Sequence, residues 1–221
     1  FGSPLLYPRF SVLDPETTMT LPRRQTQNGV VDSFVHVVEQ YLTKDVNTPL
    51  QDRMAESVLE TLVEQGRLVL KRPNDYGVRA NLMWCSTMAL NGIIGCGTVE
   101  DWATHMIGHE ITALTNMDHA RTLAVVLPGL LRYCKKGKKA KLAQFAKRVW
   151  KAQGIAEGKL ADFAIERTVD FFHEMGMHCS ASEAGLSKEI VAEVAERIGQ
   201  GGQKLGEARN IGRDSVLKIL L

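Results

Sequence analysis

The chain has 221 residues, 44% of them hydrophobic and 24% charged, with a formal net charge of +2 at neutral pH. That length corresponds to about one to one and a half domains and hides roughly 70% of the extended-chain surface, so a core forms without staples. The profile excludes a disordered chain, a collagen-like repeat and a disulfide mini-scaffold, and so small a charge gives no electrostatic mandate for nucleic acid or a membrane as partner.

No apolar run approaches the roughly 18 residues of a membrane span, and no signal-peptide pattern opens the chain. The four cysteines, Cys85, Cys96, Cys134 and Cys179, form no CxxC pair and read as reduced thiols of a cytoplasmic protein. The first residue is Phe1, in FGSPLLYPRFSVLDP, which predicts a fragment or a processed chain.

Residues 1–27 carry Pro4, Pro8, Pro15 and Pro22 and are expected to form an extended lead with turns, with one short strand at Phe10–Leu13. Helical spacing starts after Asn28, placed to cap a stripe of Val30, Val31, Phe34, Val38 and Tyr41. A second helix covers 51–71 and stops before Pro73. A third, over 76–94, is apolar nearly all round and so is expected at the centre of a bundle. Thr98 and Asp101 have the spacing of a capping box for a fourth helix reaching Leu114, and a fifth runs from His119 to Pro128. Further helices follow at 138–152, 157–175 and 187–198, with a short one at the C-terminus. The fold class is all-α, a multi-helix bundle over 28–221 behind the extended lead. The basic run Lys135–Lys147 lacks interleaved aromatics and reads as a solvated helix face.

Four of the six histidines lie in or near two short segments. Asp32 and His36, at i and i+4, project from one face of the first helix. A carboxylate on that otherwise apolar face is costly unless a cation compensates it; the alternative is an intrahelical Asp–His pair at the surface. Further on, DWATHMIGHEITALTNMDHARTLAVVLP places His105 and His109 at i and i+4 and His119 at the next helix start. Imidazoles with a carboxylate suit Zn²⁺ or Fe²⁺ and disfavour Ca²⁺. The HExxH of zinc peptidases is not met, because Met106 stands where the glutamate belongs. On residues alone, a metal centre and a scatter of core and surface histidines stay equally open. His173 and His178 read as helix-end histidines facing carbonyls. The glycines of GIIGCG, Gly92–Gly97, lack the preceding strand of a nucleotide loop and read as the end of the third helix.

The blocks FSVLDPETTMTLP, NGVVDSFVHVVEQYLT and DWATHMIGHEITALTNMDHARTLAVVLP, in this order, resemble the iron-dependent (group III) alcohol dehydrogenases, most of all the butanol-dehydrogenase branch of NADPH-dependent aldehyde reductases. The resemblance covers nearly the whole chain and is loosest over LGEARNIGRDSVLKILL. It implies the dehydroquinate-synthase-like all-helical C-terminal domain, with residues 1–27 as a linker or strand remnant of a nucleotide-binding domain that is missing. It places the family's metal ligands on Asp32, His36, His105 and His119, for Fe²⁺ or Zn²⁺. It puts His109 beside nicotinamide and substrate, in proton relay or cofactor positioning, and makes Thr18 a candidate cofactor contact, against its reading as a turn residue. The implied activity is hydride transfer between NADP(H) or NAD(H), bound mainly by the missing domain, and a small alcohol or aldehyde. A homodimer is implied for the full-length form, and the chain alone is expected not to turn over. The competing reading is a non-catalytic helical metal-binding or interaction module from a truncated gene.

Overall fold

A computed structural model describes residues 3–200, 202 and 204–221 and contains eight α-helices among them: α1 Arg23–Tyr41, α2 Pro49–Lys71, α3 Tyr76–Leu90, α4 Ala103–Thr115, α5 His119–Arg148, α6 Leu160–Glu174, α7 Lys188–Gly199 and α8 Arg213–Leu220. The all-α expectation holds. Among the described residues there is no strand, only an isolated bridge between Leu205 and Ile211. Phe10–Leu13 is therefore not a strand; without a neighbouring strand to take its N–H and C=O groups, the segment stays irregular and exposed. The lead contributes two 3₁₀ turns, Pro4–Leu6 and Pro15–Thr18, the latter capped by Asp14, which accepts a hydrogen bond from the Glu16 amide at 3.0 Å. No helix of the described residues is long and apolar enough to cross a membrane.

Several helix ends obey the local rules. Pro49 opens α2, with Asp52 in its first turn and Lys71 in its last, as the helix dipole favours. Asp75 caps α3 through the Val78 amide and Ser187 caps α7 through the Ile190 amide. Others depart from expectation. Helix α1 begins at Arg23, before Asn28, with Pro22 at its N-cap. Asn28 is buried inside the helix and donates to Asp118 Oδ2 at 2.8 Å instead of capping anything. Helix α3 ends at Leu90 and buries one face only; Trp84 and Leu90 are about 60% exposed, because α1 and α2 pack on the other side.

Helix α5 does not stop at Pro128. It continues to Arg148 and absorbs the separate helix expected from 138. Proline removes one N–H and costs about 3 kcal/mol in a helix interior, but here Val125, Val126, Leu127, Leu130 and Leu131 are all buried around it. That burial outweighs the lost bond. The helix is the wall between two apolar cores. Leu123, Ala124, Leu127 and Leu131 face a core built with α1, α2, α3 and α6, whereas Val125, Val126 and Leu130 face one built with α4, α7 and α8. In the first core Phe34 stacks among Phe145, Phe171, Phe172 and Trp150 at centroid separations of 5.3–6.3 Å.

The basic run is not a uniformly solvated face. Lys138 and Lys141 are buried. Lys138 Nζ donates to Leu42 O, Asp101 Oδ2 and Glu207 Oε1, and Lys141 Nζ donates to Asp52. Charge runs are read from sequence as surface because nothing in the run names its distant acidic partners.

Candidate metal centre

The candidate site lies where α1 of the first core faces α4 of the second, beside the first residue of α5. Two local features bring these helices together. Gly108 gives α4 a close approach to α5: a Cβ there would stand 2.9 Å from Thr122 Oγ1 and 3.0 Å from Leu123 Cδ2. Asp118, immediately before α5, accepts from Arg24 Nε at 2.6 Å and from Asn28, which ties the start of α5 to α1. The Arg24 and Asn28 hydrogen bonds hold the Asp118 carboxyl below its ordinary range.

Asp32, His36 and His105 each offer a ligand atom within 4.8 Å of the other two. Two motifs far apart in sequence thus meet at one point. The imidazoles of His36 and His105 are 4.2 Å apart, edge to face. His119 stands at the edge of the group, its Nε2 3.7 Å from Asp32 Oδ1 and its ring 5.3 Å from that of His105. His109 is exposed, stacks on His119 at 4.9 Å and lies 6.2 Å from His105. Trp102, in the left-handed backbone region with φ 59°, packs its ring against both His36 and His105.

The hydrogen bonds leave the inward atoms free. A backbone carbonyl only accepts, so His36 Nδ1, 2.9 Å from Asp32 O, carries a proton, and in the neutral ring Nε2 holds the lone pair. His105 Nδ1 is bound to the carboxylate of Glu39. Asp32 Oδ1 and His105 Nε2 are buried and have no hydrogen-bond partner. Atoms that are buried without a hydrogen bond are costly and rare, so a carboxylate oxygen and an imidazole nitrogen of this kind in one close group fit a divalent cation of borderline softness.

Burial raises the Asp32 carboxyl, but the close approach of His36, whose Nδ1 lies 3.4 Å from Asp32 Oδ1, and the nearby charges of His119 and His105 bring it below the ordinary value. Burial lowers His36, yet its contacts with Asp32 raise it overall. His119 is lowered, first by burial and then by His105, His109 and His36, which outweigh the pull of Asp32. The cluster thus joins one anionic group to imidazoles, one of them biased toward its neutral, ligating form.

Thr18 closes the 3₁₀ turn and donates its hydroxyl to Pro15 O at 2.7 Å. It also lines a cavity of about 230 Å³ with Leu21, Gln25, Arg79, Leu82 and Met83. His173, in the last turn of α6, makes no side-chain hydrogen bond to a helix carbonyl. Its Nε2 meets Glu183 Oε2 at 3.0 Å, and Cys179, whose amide donates to the same oxygen at 2.8 Å, completes a second group of close donor atoms. Met106 is exposed beside the site, while Glu110 pairs with Arg197 on another side of α4.

Sequence reading missed Glu39, although the signal was present. It stands seven residues after Asp32 and three after His36, which is the same helix face. It also missed how α4 begins. No capping box forms from Thr98; Asp101 Oδ1 accepts from the Ala103 amide, and Glu39, from another helix, takes the amides of Thr104 and His105.

Residues 26–221 match the family described as "Fe-containing alcohol dehydrogenase family, C-terminal". The NADPH-dependent aldehyde reductase YqhD of Escherichia coli is 48% identical over 99% of this chain and 57% of its own length. NADH-dependent butanol dehydrogenase B of Clostridium acetobutylicum is 34% identical over 98% of this chain and 56% of its own. A substrate- and cofactor-free structure of the E. coli aldehyde reductase superposes with a TM-score of 0.96 at 47% identity, covering 100% of this chain and 58% of that one. The chain therefore spans a little over half the length of the relatives it matches. On its match to the family's C-terminal part and its likeness to these relatives, the chain belongs to the iron-containing alcohol dehydrogenase family.

Proposed function

We propose that the chain holds the catalytic metal of a nicotinamide-dependent alcohol dehydrogenase or aldehyde reductase acting on small alcohols or aldehydes. One observation carries the reading: Asp32 Oδ1 and His105 Nε2, from distant motifs, are both buried and neither has a hydrogen-bond partner. Asp32, His36, His105 and His119 would hold the ion, Fe²⁺ or Zn²⁺. When bound, the ion supplies Lewis-acid polarisation of a carbonyl or alcohol oxygen, and NADP(H) or NAD(H) carries the hydride.

The chain's own residues do the rest. Asp32 contributes the negative charge, and His36 and His105 present Nε2 with Nδ1 already engaged. His109, exposed and stacked on His119, is placed to hold or pass the alcohol proton at a ring nitrogen. Thr18, on the 3₁₀ turn, keeps oxygen lone pairs free to accept from the cofactor. The lead before α1 acts as the connection to a nucleotide-binding domain, from which most cofactor contacts come. A homodimeric assembly and a cytoplasmic location belong to the same reading.

The test is complementation. The 221-residue chain, joined to the nucleotide-binding part of the E. coli aldehyde reductase, should reduce butanal with NADPH when loaded with metal, and Asp32→Ala should abolish the rate. The chain by itself should not turn over. A folded, metal-loaded fusion without activity would contradict the proposal.

A further inference from the structure

We propose that Glu39 is a positioning residue for the metal centre, fixing in one carboxylate both the start of α4 and the orientation of the His105 ring. The inference rests on the metal reading above. Glu39 is 3% exposed, and its carboxylate accepts from Thr104 N at 2.6 Å, His105 N at 3.2 Å and His105 Nδ1. Its own backbone carbonyl accepts from Asp101 N at 2.9 Å. A buried carboxylate is an expensive way to cap a helix, since a local Ser, Thr or Asp does so at the surface. Here the N-cap position is Trp102, which makes no side-chain cap.

What the long-range carboxylate adds is a contact no local cap offers, with the imidazole of His105. An ionised carboxylate only accepts, so Nδ1 must donate, and in the neutral ring Nε2 carries the lone pair. That nitrogen is the buried, unpartnered one. Asp32, His36 and Glu39 follow one face of α1, so a single helix supplies two candidate ligands and the group that orients a third. Carboxylates behind a ligating histidine fix its tautomer and strengthen it as a ligand, and losing such a partner typically costs about 10–100-fold in metal affinity.

The experiment measures Zn²⁺ affinity of the 221-residue chain by chelator competition and the visible spectrum of its Co²⁺ form, for the unaltered chain, Glu39→Gln, His105→Ala and Glu56→Gln. Glu56 is the control, a buried carboxylate away from the site that accepts from Tyr41, Gln144 and Arg148. Glu39→Gln should lose about 10–100-fold in affinity and change the Co²⁺ spectrum, while Glu56→Gln keeps both. Unchanged affinity and spectrum in Glu39→Gln, with His105→Ala defective, would overturn this inference alone. No metal in the unaltered chain, or an undiminished His105→Ala, would overturn the metal reading and this inference with it. If Glu39→Gln does not fold, ¹⁵N NMR of the unaltered Zn²⁺ form decides. A protected Nδ1–H on His105 with Nε2 ligating is expected, and Nδ1 ligation or a freely exchanging Nδ1–H would refute it.

Discussion

Lys138→Met isolates one buried charge that ties α5 to the end of α1 and to the segment before α4. Lys138 Nζ donates to Leu42 O at 2.6 Å, Asp101 Oδ2 at 3.0 Å and Glu207 Oε1 at 2.5 Å. The three charged side chains are only 8%, 5% and 14% exposed. Methionine keeps the length and removes the cation, leaving two buried carboxylates facing each other. Breaking a buried pair in this way costs about 3–5 kcal/mol. At this chain length a kilocalorie moves the melting temperature by about 2–4 °C, so the expected drop is about 6–20 °C. Differential scanning calorimetry or urea unfolding reads it directly. Adding Glu207→Gln should recover part of the loss, because one unpaired charge is then removed. The Lys138 ammonium is itself held above its ordinary pKa, since the attraction of Asp101 and Glu207 exceeds the effect of burial. A raised folded-state value means the contribution is complete below about pH 10, where the unfolded lysine is also charged, and drains away as pH climbs through the folded value. A Lys138→Met chain within about 1 kcal/mol of the unaltered one would refute the reasoning, since so small a loss is what an exposed pair gives.

Two further outcomes follow from packing and burial. Gly129→Ala should destabilise by about 1–3 kcal/mol in urea unfolding, since the new Cβ would fall 2.0 Å from the Ile219 carbonyl oxygen and α8 must move; an unchanged midpoint would contradict the close α5–α8 packing. With iodoacetamide at pH 8, Cys96, the one exposed thiol, should react fast. Cys85 and Cys179, pushed up by burial to about 11 and about 12, should wait for unfolding, and Cys134, also raised by burial, should lag behind Cys96; two or more fast thiols would refute this.

Much of the fold was legible. Periodicity placed α2, α6 and α7 within a few residues because their apolar stripes and end signals agree. It failed where distant contacts decide. Pro128 read as a stop, yet burial on both sides carries α5 through it. Thr98 read as a cap, yet the orphan amides of α4 are taken by Glu39, more than sixty positions away. Asn28 read as a cap because its partner, Asp118, lies just before another helix, ninety positions away. For the site, local spacing found each pair but could not join Asp32 and His36 to His105; only the tertiary packing that brings α4 up to α1 does so. Glu39 shares the helix face of Asp32 and His36, but that spacing says nothing of its burial or of its partner on α4.

The central claim, that two distant motifs form one metal centre, is tested most directly by elemental analysis of the purified chain beside Asp32→Ala and His105→Ala. The account predicts a single ion of zinc or iron per chain, lost in both variants while each stays folded by circular dichroism. Full metal content in either variant, or a folded unaltered chain that takes up neither ion, would contradict it.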